Sequence, residues 1–272
     1  MWPILAVTAM LVAGYQLVIP RVTPDGGRGH DQRQENLIKA QRVIYGHVAP
    51  ATIVVGSSEL ARLVLPPAIY NLALSGDCAL TGLEIVVRSA ARPRRVVVEI
   101  SDAITRTPDR AFLDSLFGWV NLRLRGAVPV LQDAYQPGVL INNVAQTWAA
   151  AHAVVADDRV RPELFRQLVA AQVQAHATPP DPVTLARVIL ALRGAVEALR
   201  VRGIELVFVE PPEDPAVWVS PESTVIREAM HRAFGDVRWF PTPDPASYHT
   251  TDGVHLDRES AERFAAQLVQ QL

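Results

Sequence analysis

The sequence predicts an α/β fold, a three-layer α/β/α arrangement in which about five parallel strands lie between helices and a helical insertion interrupts the alternation. Three observations predict it. Short apolar, β-branched runs recur at residues 52–55, 70–74, 95–100, 204–210 and 237–240, and runs of that length read as buried strands. Stretches with apolar residues at helical spacing separate them, an alternation that favours a parallel sheet covered on both faces. The chain, 272 residues with 49% hydrophobic and 20% charged, is long enough to bury one large core.

Taken in order, the chain opens with no charged residue between Trp2 and Pro20, close to the roughly 20 apolar residues that cross a bilayer. Residues 1–20 are read as an uncleaved membrane anchor rather than a signal peptide, since no basic region precedes the run and no small-x-small site ends it. Residues 21–50 then hold a polar, glycine-containing linker and a lead-in helix over 31–45, with Leu37, Ile38, Ala40, Val43 and Ile44 on its apolar side. Arg21, Arg28 and Arg33 follow the span, and by the positive-inside rule they favour a cytoplasmic body.

Residues 51–272 form the predicted domain. Between about 106 and 182 no confident strand occurs, and such a length is too great for a bare loop. A helical insertion that caps the carboxyl edge of the sheet is expected there, carrying Phe112, Phe117, Trp119, Tyr135 and Trp148. The next helix has Leu185, Val188, Ile189, Leu192, Val196 and Leu199 on one face and closes at Arg202-Gly203. The last helix repeats Phe264, Leu268 and Leu272 at spacing four.

Composition excludes several chemistries. The net charge of −2 gives no basic field for nucleic acid. Lys39 is the only lysine, which removes a Schiff base or a phosphate-gripping P-loop, and no glycine-rich phosphate turn follows any predicted strand. One cysteine, Cys78, rules out an intramolecular disulfide and a cysteine-rich metal site. The other histidines lack a metal-ligating spacing, so neither a metal nor a cofactor is expected.

Two turns carry chemistry. At residues 53–60, Ile-Val-Val-Gly-Ser-Ser-Glu-Leu reads as strand, tight turn and helix start, which sets a serine hydroxyl at the carboxyl end of a strand, where open α/β sheets place ligands. Ser57 suits an N-cap and Glu59 suits the first helical turn. Just before the final helix, Asp252-Gly253-Val254-His255 lets a carboxylate orient an imidazole whose other nitrogen can reach a hydroxyl. With Ser58 these make nucleophile, base and orienting acid in the order Ser, Asp, His. No Gly-x-Ser-x-Gly surrounds Ser58, which argues against an α/β-hydrolase elbow.

On those residues the chain resembles the SGNH (GDSL-like) hydrolase superfamily. Gly56-Ser57-Ser58 matches its first block with Ser58 at the nucleophile position, and Asp252-Gly253-Val254-His255 matches its last. Asn71-Leu72-Ala73-Leu74-Ser75-Gly76 resembles the second block, whose glycine N–H contributes to the oxyanion hole, a role carried to Gly76. The third block, usually Gly-x-Asn-Asp, is replaced by Glu99-Ile100-Ser101-Asp102. The donating asparagine is missing, and Ser101 is left as a weak donor beside the N–H groups of Ser58 and Gly76.

The resemblance covers roughly residues 50–105 and 185–272 and implies a flavodoxin-like domain with serine esterase or acyltransferase activity on acyl esters. The first block behind an apolar segment is similar to the membrane-anchored branch, DltD-like and alginate-acetylation-like, that acts on cell-envelope polymers. It implies an extracytoplasmic domain, a polysaccharide or other acylated substrate, room for a protein partner and no nucleic acid. The missing asparagine leaves a second expectation, a weakened enzyme that binds an envelope glycan or a partner enzyme.

Overall fold

A computed structural model describes residues 2–22, 28–152 and 160–272. In chain order these form α1 (Trp2–Val22), α2 (Gln32–Ile44), β1 (Thr52–Val55), α3 (Ser58–Ala61), β2 (Ile69–Asn71), α4 (Ala79–Arg88) and β3 (Arg95–Glu99). After β3 come α5 (Arg110–Phe117), α6 (Trp119–Ala127), α7 (Pro137–His152), α8 (Pro162–Ala175) and α9 (Pro182–Val201). The chain ends with β4 (Glu205–Val209), α10 (Pro215–Trp218), α11 (Pro221–Ala233), β5 (Arg238–Trp239) and α12 (Arg258–Gln271). The linker expected after the apolar span lies partly outside the described residues, at 23–27.

The chain groups into two compact units. Residues 48–109 and 156–272 form the larger, and its sheet has the order β2-β1-β3-β4-β5, every pair parallel. The predicted α/β fold is therefore present. All five predicted strands occur with ends shifted by a few residues. At β2 the ladder stops at Asn71, yet Leu72 N still donates to Val54 O (2.8 Å) and Leu74 N to Gly56 O (2.9 Å), which carries the segment alongside the turn after β1.

Strand parity sorts the two helical layers, because neighbouring residues of a strand face opposite sides. Val54, Val97, Val207 and Val209 pack with Leu60, Phe264, Ala265 and Leu268, so α3 and α12 cover one face. Val55 turns to the other, where α4 comes so close that a Cβ on Gly82 would stand 2.8 Å from Val55 Cβ. The helix predicted from its apolar stripe is α9, started by Asp181 accepting from Thr184 N, with Leu185, Val188, Leu192, Val196 and Leu199 buried. Each such burial stabilises by roughly 1.5–3 kcal/mol.

Phe208 sits at the centre of β4, fully buried, edge-on to Phe234 (5.3 Å) and Trp239 (5.2 Å). Phe208→Ala is expected to cost about 3–5 kcal/mol, read as a lower urea midpoint.

Residues 1–47 and 110–155 form the second unit. The expected insertion is thus divided, its first part grouping with the N-terminal segment and its last part, α8, with the sheet. Here α2 begins at Asp31, which accepts from Gln34 N, and buries Ile38 against Ala134 and Val139. Gln41 exchanges two hydrogen bonds with Asp133, Nε2 donating to Oδ2 (2.6 Å) and Oε1 accepting from Asp133 N (2.9 Å). Helix α1 is long and apolar enough to span a membrane, and no residue of the window Trp2–Ile19 is buried. It touches its unit near its end, where Tyr15 Oη donates to Tyr135 O (2.7 Å) and Gln16 Oε1 accepts from Val130 N (3.2 Å).

Candidate active site

The strand order makes a switch point between β1, which continues to β2 on one side, and β3, which begins the run to β5 on the other. A crevice at the carboxyl ends of two such strands is where doubly wound sheets bind ligands. The turn after β1 enters it. Gly56 is required there by close approach: a Cβ would lie 2.4 Å from Glu99 Oε2. Ser57 is the N-cap of α3 and its side chain accepts from Glu59 N (3.3 Å), so its hydroxyl serves the helix. Ser58, half-buried, is the first helical residue.

The turn is held from below by Glu99 at the end of β3. Its Oε2 accepts from Ser57 N (2.9 Å) and Leu60 N (3.3 Å), and its Oε1 accepts from Ser101 Oγ (2.8 Å). Burial pushes the Glu99 carboxyl up, against the downward pull of the hydrogen bonds from Ser57, Ser101 and Leu60. From β2, Asn71 Nδ2 donates to Leu60 O (2.8 Å) and Leu63 O (3.1 Å), capping the other end of α3.

The second turn arrives from the segment before α12. Gly253 has φ +103°, a conformation open to glycine. Thr250 and Leu256 close the base as an antiparallel bridge, and Asp257 caps α12 by accepting from Ser260 N (2.8 Å). Inside the turn Asp252 Oδ1 accepts from Val254 N (3.2 Å) and His255 N (2.9 Å), which leaves Oδ2 for His255 Nδ1 (2.7 Å). Against the upward effect of burial, the hydrogen bonds and charge of His255 and the Val254 N–H bring Asp252 down to about 2. His255 Nε2 lies 2.8 Å from Ser58 Oγ.

Ser58, His255 and Asp252 are thus brought together across 197 residues of sequence into one hydrogen-bonded chain. With Nδ1 held by Asp252, Nε2 is the nitrogen free to take the serine proton, and the arrangement can activate Ser58 as a nucleophile. Helix α8 packs on this turn, since a Cβ on Gly253 would meet Gln172 and Val169 at 3.4–3.5 Å.

The candidate oxyanion groups are placed less tightly. Gly76 lies in the turn that follows the 72–74 extension of β2, with φ +77°. Ser101 is buried and its hydroxyl is directed at Glu99, so that proton is already engaged. Ser101 therefore supports the Ser57–Ser58 turn through Glu99.

Two supports escaped the sequence. One is Glu99. The other is His176, just after α8, whose Nε2 is 3.1 Å from Asp102 Oδ2 and whose Nδ1 is 2.7 Å from Gln172 O. The Asp102 hydrogen bond, opposed by burial, raises His176 from 6.5 to about 9, so it is charged at neutral pH. A raised histidine stabilises fully below its unfolded value and loses that contribution as pH rises through its folded value. Stability is expected to fall between pH 6.5 and about 9, and His176→Asn should flatten that limb in denaturation midpoints measured across pH. Neither partner had a motif to reveal it; 74 residues and the whole of α5–α8 separate them. His249 is exposed beside the turn and lines a cavity of about 520 Å³ with Phe165, Thr251 and Arg263. No protein-family model and no curated protein sequence matches the chain.

Proposed function

We propose that the protein is a serine esterase or O-acyltransferase acting on acyl esters, of the SGNH type, with Ser58 as nucleophile, His255 as general base and Asp252 as the group that orients the imidazole. The observation that carries the reading is the Ser58–His255–Asp252 chain of 2.8 and 2.7 Å contacts. In the first step Ser58 Oγ bonds to the ester carbonyl carbon as its proton passes to His255 Nε2. The tetrahedral intermediate collapses, the C–O bond to the alcohol breaks, and His255 returns the proton to that leaving oxygen. Water or an acceptor hydroxyl then attacks the acyl-enzyme, giving up its proton to His255; the bond from the acyl carbon to Ser58 Oγ breaks and His255 returns the proton to Ser58 Oγ. Backbone N–H groups of Ser58 and Gly76 hold the oxyanion, without a side-chain donor whose loss elsewhere costs about 2.7–4 kcal/mol.

An acylated cell-envelope polysaccharide is the proposed substrate, with α1 as anchor and the larger unit on the extracytoplasmic side. The resemblance of the two sequence blocks and the apolar length of α1 support this, and the arginines after the span oppose it. The engaged Ser101 hydroxyl favours a second reading, a weakened enzyme retained for glycan or partner binding.

The test is fluorophosphonate labelling and p-nitrophenyl acetate turnover by the full chain in detergent. Ser58→Ala is expected to abolish labelling and to cut turnover by at least about 10³-fold. Ser57→Ala should keep both and lose about 1 kcal/mol of stability with its cap. Labelling of Ser58→Ala at the wild-type level refutes the assignment, and glycan binding with no Ser58-dependent turnover favours the second reading.

A further inference from the structure

Beside the triad, at the same sheet edge, lie three carboxylates that the proposed reaction does not use. Glu59 follows Ser58 on α3, Asp102 follows β3 and Glu213 follows β4, and one oxygen from each lies within 4.8 Å of the others. Asp102 also faces His176 (3.1 Å) and Arg106 (3.8 Å). Glu59 and Glu213 are only 7% and 3% exposed, and among the described residues Glu59 Oε2 and Glu213 Oε2 are buried with no hydrogen-bond partner. A buried carboxylate oxygen without a partner is costly, and a bound cation would satisfy the oxygens of both side chains. A cavity of about 20 Å³ adjoins two of them, Asp102 and Glu213, and is lined also by Ser101, Trp218 and Arg227, room for about one water.

We propose that Glu59, Asp102 and Glu213 bind one hard divalent cation of the calcium type. Three carboxylate oxygens within 4.8 Å of one another can share one ion at the calcium–oxygen distance of roughly 2.3–2.6 Å. The donors are all oxygen, and the nearby imidazole Nε2 is turned to Asp102, which selects against softer ions. The ion ties the first turn of α3, which bears Ser58, to the ends of β3 and β4, and so acts on the nucleophile by position.

The experiment uses the full chain in detergent after chelator treatment. Calorimetric titration with calcium chloride is expected to show one ion per chain and a thermal midpoint that rises with its concentration. Glu59→Gln and Glu213→Gln should each weaken binding at least tenfold. Terbium offers a readout on the unaltered site: its luminescence should be sensitised through tryptophan, displaced by calcium, and lost in Trp218→Phe, which keeps calorimetric binding. No binding up to about 10 mM, beyond the weak end of extracellular calcium modules, overturns the proposal. So does unchanged affinity in both variants, or variants that are more stable than wild type whatever the cation, which would mean that the carboxylates hold protons. None of these readouts uses turnover, so the site and the esterase reading fail separately.

A second inference rests on a different surface. Helix α6 buries none of its residues, although Trp119 is 74% and Val120 54% exposed. On α7, Ile141 and Val144 are 71% and 70% exposed and Trp148 continues the stripe. The segment joining these helices is hydrogen-bonded to Tyr15 and Gln16 of α1, within the apolar window. We infer that α6 and α7 lie in the interfacial layer of the bilayer that α1 enters, an inference that rests on α1 spanning it. The tryptophans suit that depth, and the exposed Arg123 and Arg21 suit lipid phosphates.

Nitroxide labels at Val120→Cys and Val144→Cys, in a Cys78→Ala chain in phosphatidylcholine–phosphatidylglycerol nanodiscs, are expected to be more accessible to oxygen than to a water-soluble nickel complex. Val201→Cys, on the larger unit, should show the reverse. Val7→Cys reports α1 itself, so loss of the anchor reading appears there. If Val7→Cys is lipid-exposed while positions 120 and 144 behave like 201, or are shielded from both reagents by a second copy, the inference is wrong.

Discussion

Asp252→Asn is expected, on the proposed esterase mechanism, to lower ester turnover about 10⁴-fold while the fold is kept. Asparagine retains an oxygen in the place of Oδ1, so the Val254 and His255 N–H groups keep their acceptor and the turn survives. At Oδ2, however, an amide donor replaces the acceptor that holds His255 Nδ1–H at 2.7 Å. The imidazole then presents the wrong nitrogen as base, and the imidazolium formed in the transition state loses its counter-charge. Thermal unfolding near neutral pH should move little while the rate falls. Because Asp252 is held near 2 in the fold and at 3.8 outside it, its stabilising contribution is complete above about pH 4 and lost as pH falls toward 2. Asp252→Asn should therefore flatten the acid limb of a stability profile.

Gly56→Ala is expected to destabilise by about 3 kcal/mol or more, combining overpacking with unpaired buried N–H groups. A methyl 2.4 Å from Glu99 Oε2 and 2.9 Å from Glu99 Cβ meets a side chain whose root is fixed in β3. Glu99 has to move, and the N–H groups of Ser57 and Leu60 lose their acceptor. Urea unfolding of the full chain in detergent measures the loss. Glu99→Ala makes room for the methyl but abandons the same N–H groups, so the double variant should cost less than the two single losses added. Full additivity would show that the contact is not shared.

These effects show which parts of the molecule were legible in its sequence. The strands were, because Thr52 to Val55 and Val96 to Glu99 are buried on both faces and carry the β-branched runs that such burial selects. The turns at Gly56-Ser57-Ser58 and Asp252–His255 were readable for a local reason: the glycines and the caps act within a few residues. Glu99 and His176 were not, since their partners lie 42 and 74 residues away and a carboxylate or imidazole carries no mark of what it will face. The division of the insertion was hidden likewise, for Asp133 looks like any loop aspartate until Gln41, 92 residues earlier, meets it.

Glu99 makes residues 56, 57, 60 and 101 one inheritance. On the proposed esterase reading, Ser101→Asn would supply an oxyanion donor but withdraw the hydroxyl that Glu99 Oε1 accepts and put a larger amide into a buried place beside the turn that carries Ser58. A gain at the oxyanion would be offset by a loosened serine. On that reading an asparagine at 101 needs a paired change at 99, with Gly56 free to vary only after the glutamate has gone.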